Sequence, residues 1–194
     1  MRKIHYLLIA IFASCLFSLN VTAQSGNWSS FVEEPPLSGN TYSISKPEHL
    51  AWIALQGSEP TKNSFSGKTI LLTADIDLEA HWWVPANGGS NDSRLNYPFS
   101  GIFDGGYHKI KNLYIKNDLN IRYVGLIRYL ATSGIVRNVI VQTGNVNGGS
   151  LEAGAIVGFN YGKIEYSVNL GAAVKGGNSV GGIVAANSGS SATV

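Results

Sequence analysis

From Tyr123 onward, short apolar runs alternate with Gly, Asn and Ser, and one pattern is written three times. It reads YVGLI at Tyr123–Ile127, EAGAIV at Glu152–Val157 and SVGGIV at Ser179–Val184. Gly125, Gly154 and Gly181 anchor it at separations of 29 and 27 residues. Ile110, Val136 and Ile164 open IKNLYI, VRNVIV and IEYSVN at 26 and 28, and Val146 of GNVNGG precedes Val174 of AAVKGG by 28. None of these runs has the 3.6-residue period of an amphipathic helix; they are bounded as strands are, by turn residues. Self-similarity on this scale marks a solenoid or array. A propeller blade needs about 40–50 residues, so coils of three short strands and three turns fit better. The expectation is an all-β parallel β-helix (solenoid), each coil burying its apolar face against its neighbours.

This scheme carries definite placements. Gly125, Gly154 and Gly181 are expected to stack as one column. Ile110, Val136 and Ile164 are expected to form another, facing inward. Asn112 and Asn138 take the same place in their runs and suit a repeated turn, because Asn tolerates left-handed backbone. Upstream, Ser45-Lys46-Pro47-Glu48 has capping-box spacing, with Ser45 as N-cap. Leu50, Ile53 and Ala54 then share a helical face. A short N-terminal helix there covers the open edge of the first coil. Residues 24–40, with Pro35-Pro36, read as an exposed lead-in, and 41–194 as the solenoid. Gly67–Leu78 reads as strand, turn, strand; Pro85–Pro98 reads as a polar loop, and Asp104-Gly105-Gly106 as a turn. The last unit, VGGIVAANSGSSATV, lacks an apolar residue near Ser191. The C-terminal coil therefore reads as incomplete, with end-to-end self-association or a longer parent solenoid as the expectation.

Composition changes the picture at the N-terminus. Arg2 and Lys3 precede an apolar run from Leu7 to Phe17, and Val21-Thr22-Ala23 offers a small-residue cleavage site, so residues 1–23 read as a signal peptide. The run is too short for a membrane span. Cys15 is the only cysteine and lies in this leader; lipidation there is the lesser reading. An exported chain without disulfides must be stabilised by stacking and core burial. Without the leader, the chain has 12 basic and 12 acidic residues. Nucleic acid and anionic lipid, which demand a basic patch, are not indicated as partners.

Candidate chemistry is sparse. The histidines beyond the leader form no H-E-x-x-H pair. Gly177–Gly181 matches G-x-S-x-G in letters, but without the strand-to-helix elbow that makes its serine a nucleophile. Asp75 and Asp77, two apart in a strand, share a face. They are candidates for a metal, calcium above all, or for paired acids, although the calcium-binding nonapeptide is absent; the plainer reading is a solvated outer face. Trp82 and Trp83 with His81 are candidates for a sugar-stacking platform, against a reading in which one tryptophan packs under the helix with Trp52. No catalytic residue and no cofactor is assigned.

The order of DIDL at Asp75–Leu78, Trp83-Val84-Pro85, Phe99–Gly105, His108–Leu113 and Val180–Val184 resembles the GLUG-motif repeat family of bacterial secreted and surface proteins. The likeness runs from about Thr41 to Asn187. It implies a right-handed parallel β-helix, exported to the bacterial surface or medium. The leader ending in Ala-Gln resembles those of Bacteroidetes exports. Such repeats occur in adhesins and beside IgA-specific zinc metallopeptidase domains. YVGLIRYL departs from the family where a second glycine is usual. Two functions follow: a non-catalytic surface or adhesion module with a glycan or protein partner, or a carbohydrate-active or sugar-binding β-helix. An N-terminal accessory region of a larger secreted peptidase is a further alternative.

Overall fold

The computed structural model describes residues 26, 28–58, 61, 63–83, 97–117, 121–190 and 192–194. The leader and nearly all of the Pro85–Pro98 loop lie outside the described residues. The chain is a β-solenoid of about five turns, with one short α-helix among the described residues.

The first coil is a cap. β1 (Leu37–Ser38) pairs antiparallel with β2 (Thr41–Ile44), and α1 (Pro47–Gln56) follows. The second coil contributes β3 (Thr69–Leu72) and β4 (Ile76–Asp77), with single bridges at Trp82 and Phe99. The third has β5 (Ile102–Asp104), β6 (Lys109–Lys111), β7 (Leu113–Lys116) and β8 (Ile127–Leu130). The fourth has β9 (Ile135–Arg137), β10 (Ile140–Val141), β11 (Gly144–Asn147), β12 (Ala153–Gly154) and β13 (Val157–Asn160). The fifth repeats it with β14 (Lys163–Glu165), β15 (Val168–Asn169), β16 (Ala172–Lys175), β17 (Val180–Gly181) and β18 (Val184–Asn187).

Equivalent strands pair in parallel down the stack, giving sheets ordered β1-β2-β3-β5-β9-β14, β4-β6-β10-β15, β7-β11-β16, β12-β17 and β8-β13-β18. Inward positions are apolar because each strand buries alternate residues. Leu113, Ile115, Val146, Val136 and Val157 are almost wholly buried. At the last residue of each strand of the final sheet, Leu130 gives way to Asn160 and Asn187. The Asn160 Nδ2 donates to Asn187 Oδ1 at 2.7 Å, and Asn160 Oδ1 accepts from Gly162 N–H, so the buried amide is satisfied within the stack.

The glycine column is present: Gly154 pairs with Gly181, and Gly125 lies against the Gly154 carbonyl. Val146 pairs with Val174, with Ile115 below them. The Ile110–Val136–Ile164 column is corrected. Val136 pairs with Ile164 and Phe103, whereas Ile110 pairs with Ile76 and Val141 on the next sheet. All three are buried. Asn112 and Asn138 are both left-handed, each at φ 55°, as expected of turn residues. They mark different corners, however. Asn138 lies alongside Gly105, and Asn112 bonds Thr143.

α1 starts as expected but is capped otherwise. Its N-cap is Lys46, with no side-chain cap, and Pro47 opens the first turn. Ser45 stands one residue ahead of the N-cap, where its N–H donates to His49 Nδ1 at 3.3 Å and its Oγ lies 3.5 Å from the same nitrogen. The helix buries Leu50, Ile53 and Ala54 against Trp83, Phe99, Phe103, Leu126 and Ile127, closing the bottom of the core. The lead-in is exposed from Phe31 to Glu34, but its Trp28 and Pro35 are buried. Trp28 Nε1 donates to the Leu78 carbonyl at 2.9 Å. Trp28 N–H and Trp82 N–H reach Trp82 and Gly26 carbonyls at 3.2 Å, so this segment covers a strand edge.

Candidate functional site

Trp82 and Trp83 are neighbours in an extended segment, so their side chains leave it on opposite sides. Trp83 is buried and donates its Nε1–H to the Leu126 carbonyl at 3.1 Å. That is the packing role under the helix. Trp52 is partly buried and tilts against Tyr42, with ring centroids 5.6 Å apart. His81 is also buried, its ring edge-on to Trp28 at 5.0 Å and beside Phe31 at 5.5 Å. A platform of three aromatic rings is therefore not formed. Trp82 alone faces outward, 36% exposed, with Lys116 Nζ 4.7 Å from its ring centroid.

Trp82 heads a surface that the sequence did not single out. It bridges Tyr114 in parallel, and Tyr114 pairs in turn with Asn145 and Asn145 with Ala173. These outward residues form one column. A second, one corner away, comprises Ala80, Asn112, Thr143 and Gly171, with Leu113 and Gly144 between them. With Tyr114 and Asn145 of the first column they line an open groove of about 540 Å³ that follows the stack, and Trp82 and Ala173 continue the first column at its two ends. The strand alternation of LYIK and GNVN was the available signal: with Leu113, Ile115 and Val146 inside, Tyr114 and Asn145 must face out. A Cβ at Gly144 would collide with the Leu113 carbonyl, so the floor requires glycine there.

The corner wall is cross-linked from coil to coil. Asn112 N–H donates to Thr143 Oγ1 at 2.9 Å, Thr143 Oγ1 donates to Asn112 Oδ1 at 3.3 Å, and Asn112 Nδ2 donates to Asp77 Oδ1 at 2.8 Å. Asp77 also accepts the Glu79 N–H at 2.8 Å. Asp75 accepts the Lys109 N–H at 3.0 Å and lies 3.5 Å from Lys111 Nζ and 3.6 Å from His108 Nδ1. The Lys109 N–H, ahead of the nearby lysine charges, holds the Asp75 carboxyl below its usual range. The two carboxylates thus serve as acceptors for donors on the following coil. Among the described residues no group of three or more His, Cys, Asp or Glu is placed to hold a metal ion.

A second outward feature lies on the β8-β13-β18 sheet. Tyr129, Phe159 and Ala186 stack, and Tyr123 packs edge-on to Phe159 at 4.6 Å. Tyr123, Tyr129 and Phe159 are each at least nine-tenths buried, so this cluster is a small outer core. The G-x-S-x-G letters run from the turn after β16 into β17, where strand follows strand.

No protein-family model matches the chain, and no solved structure does. No helix among the described residues is long and apolar enough to cross a membrane. The chain is similar to Halomucin of Haloquadratum walsbyi (strain DSM 16790 / HBSQ001), with 33% identity over 137 residues. That stretch covers 68% of this chain and 1% of Halomucin, so the chain spans about a hundredth of the length of the curated relative it matches.

Proposed function

We propose that the chain is an exported, non-catalytic surface module of GLUG-repeat type that binds a glycan. The β-solenoid and the similarity to Halomucin fit a surface-type module. Export rests on the leader-like residues 1–23. Glycan binding rests on one observation above others: the outward Trp82 at the head of a groove lined by amide, hydroxyl and aromatic groups. An aromatic face with polar groups beside it matches a sugar ring, which has apolar faces and a hydroxylated rim. The test is a glycan-array screen of the chain, repeated with Trp82→Ala. Saturable binding of at least one glycan, weakened in the variant, supports the proposal. A blank array at high protein concentration contradicts it.

A further inference from the structure

We infer that the groove binds a linear, uncharged polysaccharide lying parallel to the solenoid axis, with one sugar ring against Trp82 and Tyr114 and later rings over Asn145. This rests on the glycan reading above and deepens it.

The direction follows from the construction of the walls. Ala80, Asn112, Thr143 and Gly171 come from four successive coils; the other wall is Tyr114 and Asn145, continued in register by Trp82 before them and Ala173 after them. Each step along the groove is one strand spacing, about 4.8 Å, and the four coils span about 14 Å. A groove that repeats along its length suits a polymer that repeats along its length. Across the groove there is only one residue pair, too little to hold a chain running the other way.

The class follows from what the walls present. Among the described residues, every one lining the groove is uncharged, and charges stand at the margins in both signs: Asp77 and Glu79 near the head, Lys116 over Trp82, and Lys175 in register with Asn147 two residues beyond the Asn145 column. An anionic polymer would meet the two carboxylates at the head. A neutral one meets donors and acceptors. The corner wall has spent its polar atoms on itself and stands rigid, which fixes the groove's shape. Asn145, on the opposite wall, is exposed and unbonded among the described residues, so its amide offers both a donor and an acceptor to a hydroxyl pair. Lys116 rests on the Trp82 ring at an exposed site, where such contacts are weak. A sugar ring competes with it for the aromatic face.

The experiment is calorimetric titration of the chain with neutral hexasaccharides (linear glucan, mannan and xylan) and with a hexauronate. Trp82→Ala, Tyr114→Ala and Asn145→Leu are compared with Tyr166→Ala, which alters a residue 77% exposed in the fifth coil. Circular dichroism of each variant verifies folding. The expected result is saturable binding of at least one neutral probe. The three groove variants weaken it tenfold or more, and Tyr166→Ala leaves it unchanged. Neutral-glycan binding untouched by the three groove variants overturns the groove assignment while leaving the glycan reading intact. Binding of the hexauronate alone, weakened by Lys116→Gln and Lys175→Gln, overturns the uncharged class. No binding of any probe, with the glycan array also blank, overturns both readings.

Discussion

Arg122 clasps Glu152 across two successive coils with both arms of its guanidinium, Nε to Oε2 at 3.2 Å and Nη2 to Oε1 at 2.5 Å. The Glu152 side chain is 5% exposed and that of Arg122 31%. Arg122 also lies over the Tyr123 ring, 4.8 Å from its centroid, and donates to the Tyr123 hydroxyl at 3.1 Å. Removing one member of a buried pair leaves a charge in a poor solvent. Arg122→Ala should therefore cost about 3 kcal/mol by denaturant unfolding. Arg122→Lys should recover only part of that, because an ammonium cannot reproduce the two-armed geometry.

Acid should loosen the corner between the first two strands of the third coil. Burial acts to raise the Asp104 carboxyl. The Asn138 amide, the Gly106 N–H and the Arg137 guanidinium outweigh it and hold the carboxyl below its usual range. An unfolded aspartate titrates near about 3.9, so between that value and the lower folded one the unfolded chain binds more protons. Asp104 thus stabilises the fold above its unfolded pKa, and the contribution disappears as pH falls through the folded value. Asp104→Asn should lower Tm at neutral pH and flatten its decline between about pH 5 and pH 3. Some acid sensitivity should remain through Asp75, which is shifted the same way.

Two glycines should respond oppositely to alanine. A Cβ at Gly158 would collide with the Tyr123 carbonyl, which belongs to the coil beneath. Gly158→Ala should cost about 3 kcal/mol. A Cβ at Gly182 meets nothing within 4 Å, and Gly182→Ala should fall within about 0.5 kcal/mol of the parent. Urea unfolding of the two variants side by side decides the point. Ser45→Ala belongs with Gly182, because Ser45 makes no cap.

The fifth coil presents Leu170 and Val180 at 61% and 45% exposure, together with Val168 at 37%. Thr193 bridges Lys163 on the β14 edge. Exposed apolar groups beside parallel strand edges favour pairing with another chain. Light scattering should show association that rises with concentration and falls in a Leu170→Lys, Val180→Lys variant. A concentration-independent monomer would refute this.

Much of the stack was legible because parallel pairing in register writes itself into sequence as repetition. The glycines Gly125, Gly154 and Gly181 are read correctly for a steric reason: a Cβ at Gly154 or Gly181 would collide with a carbonyl, so the column admits little else. Ile110 was misplaced because IKNLYI and VRNVIV share a local rule, an apolar residue two before a left-handed Asn. That rule marks a corner without saying which corner. IKNLYI spans β6 and β7, and VRNVIV spans β9 and β10. The site was half legible. The tryptophans stand out in the sequence, but only the alternation of an extended segment separates outward Trp82 from inward Trp83. Tyr114 and Asn145 are unremarkable residues until register places them beside Trp82.

A neutral polysaccharide meeting the chain at this face is detected most directly by NMR titration of isotope-labelled chain with the neutral hexasaccharide that binds best. The expected result is saturable shifts of the Trp82 indole N–H and the Asn145 side-chain amide, with smaller changes at Tyr114 and Thr143. The indole N–H groups of the buried Trp28 and Trp83 should stay in place. Shifts confined to the Tyr123–Phe159 face or to the fifth-coil end, or no shifts at all, would contradict it.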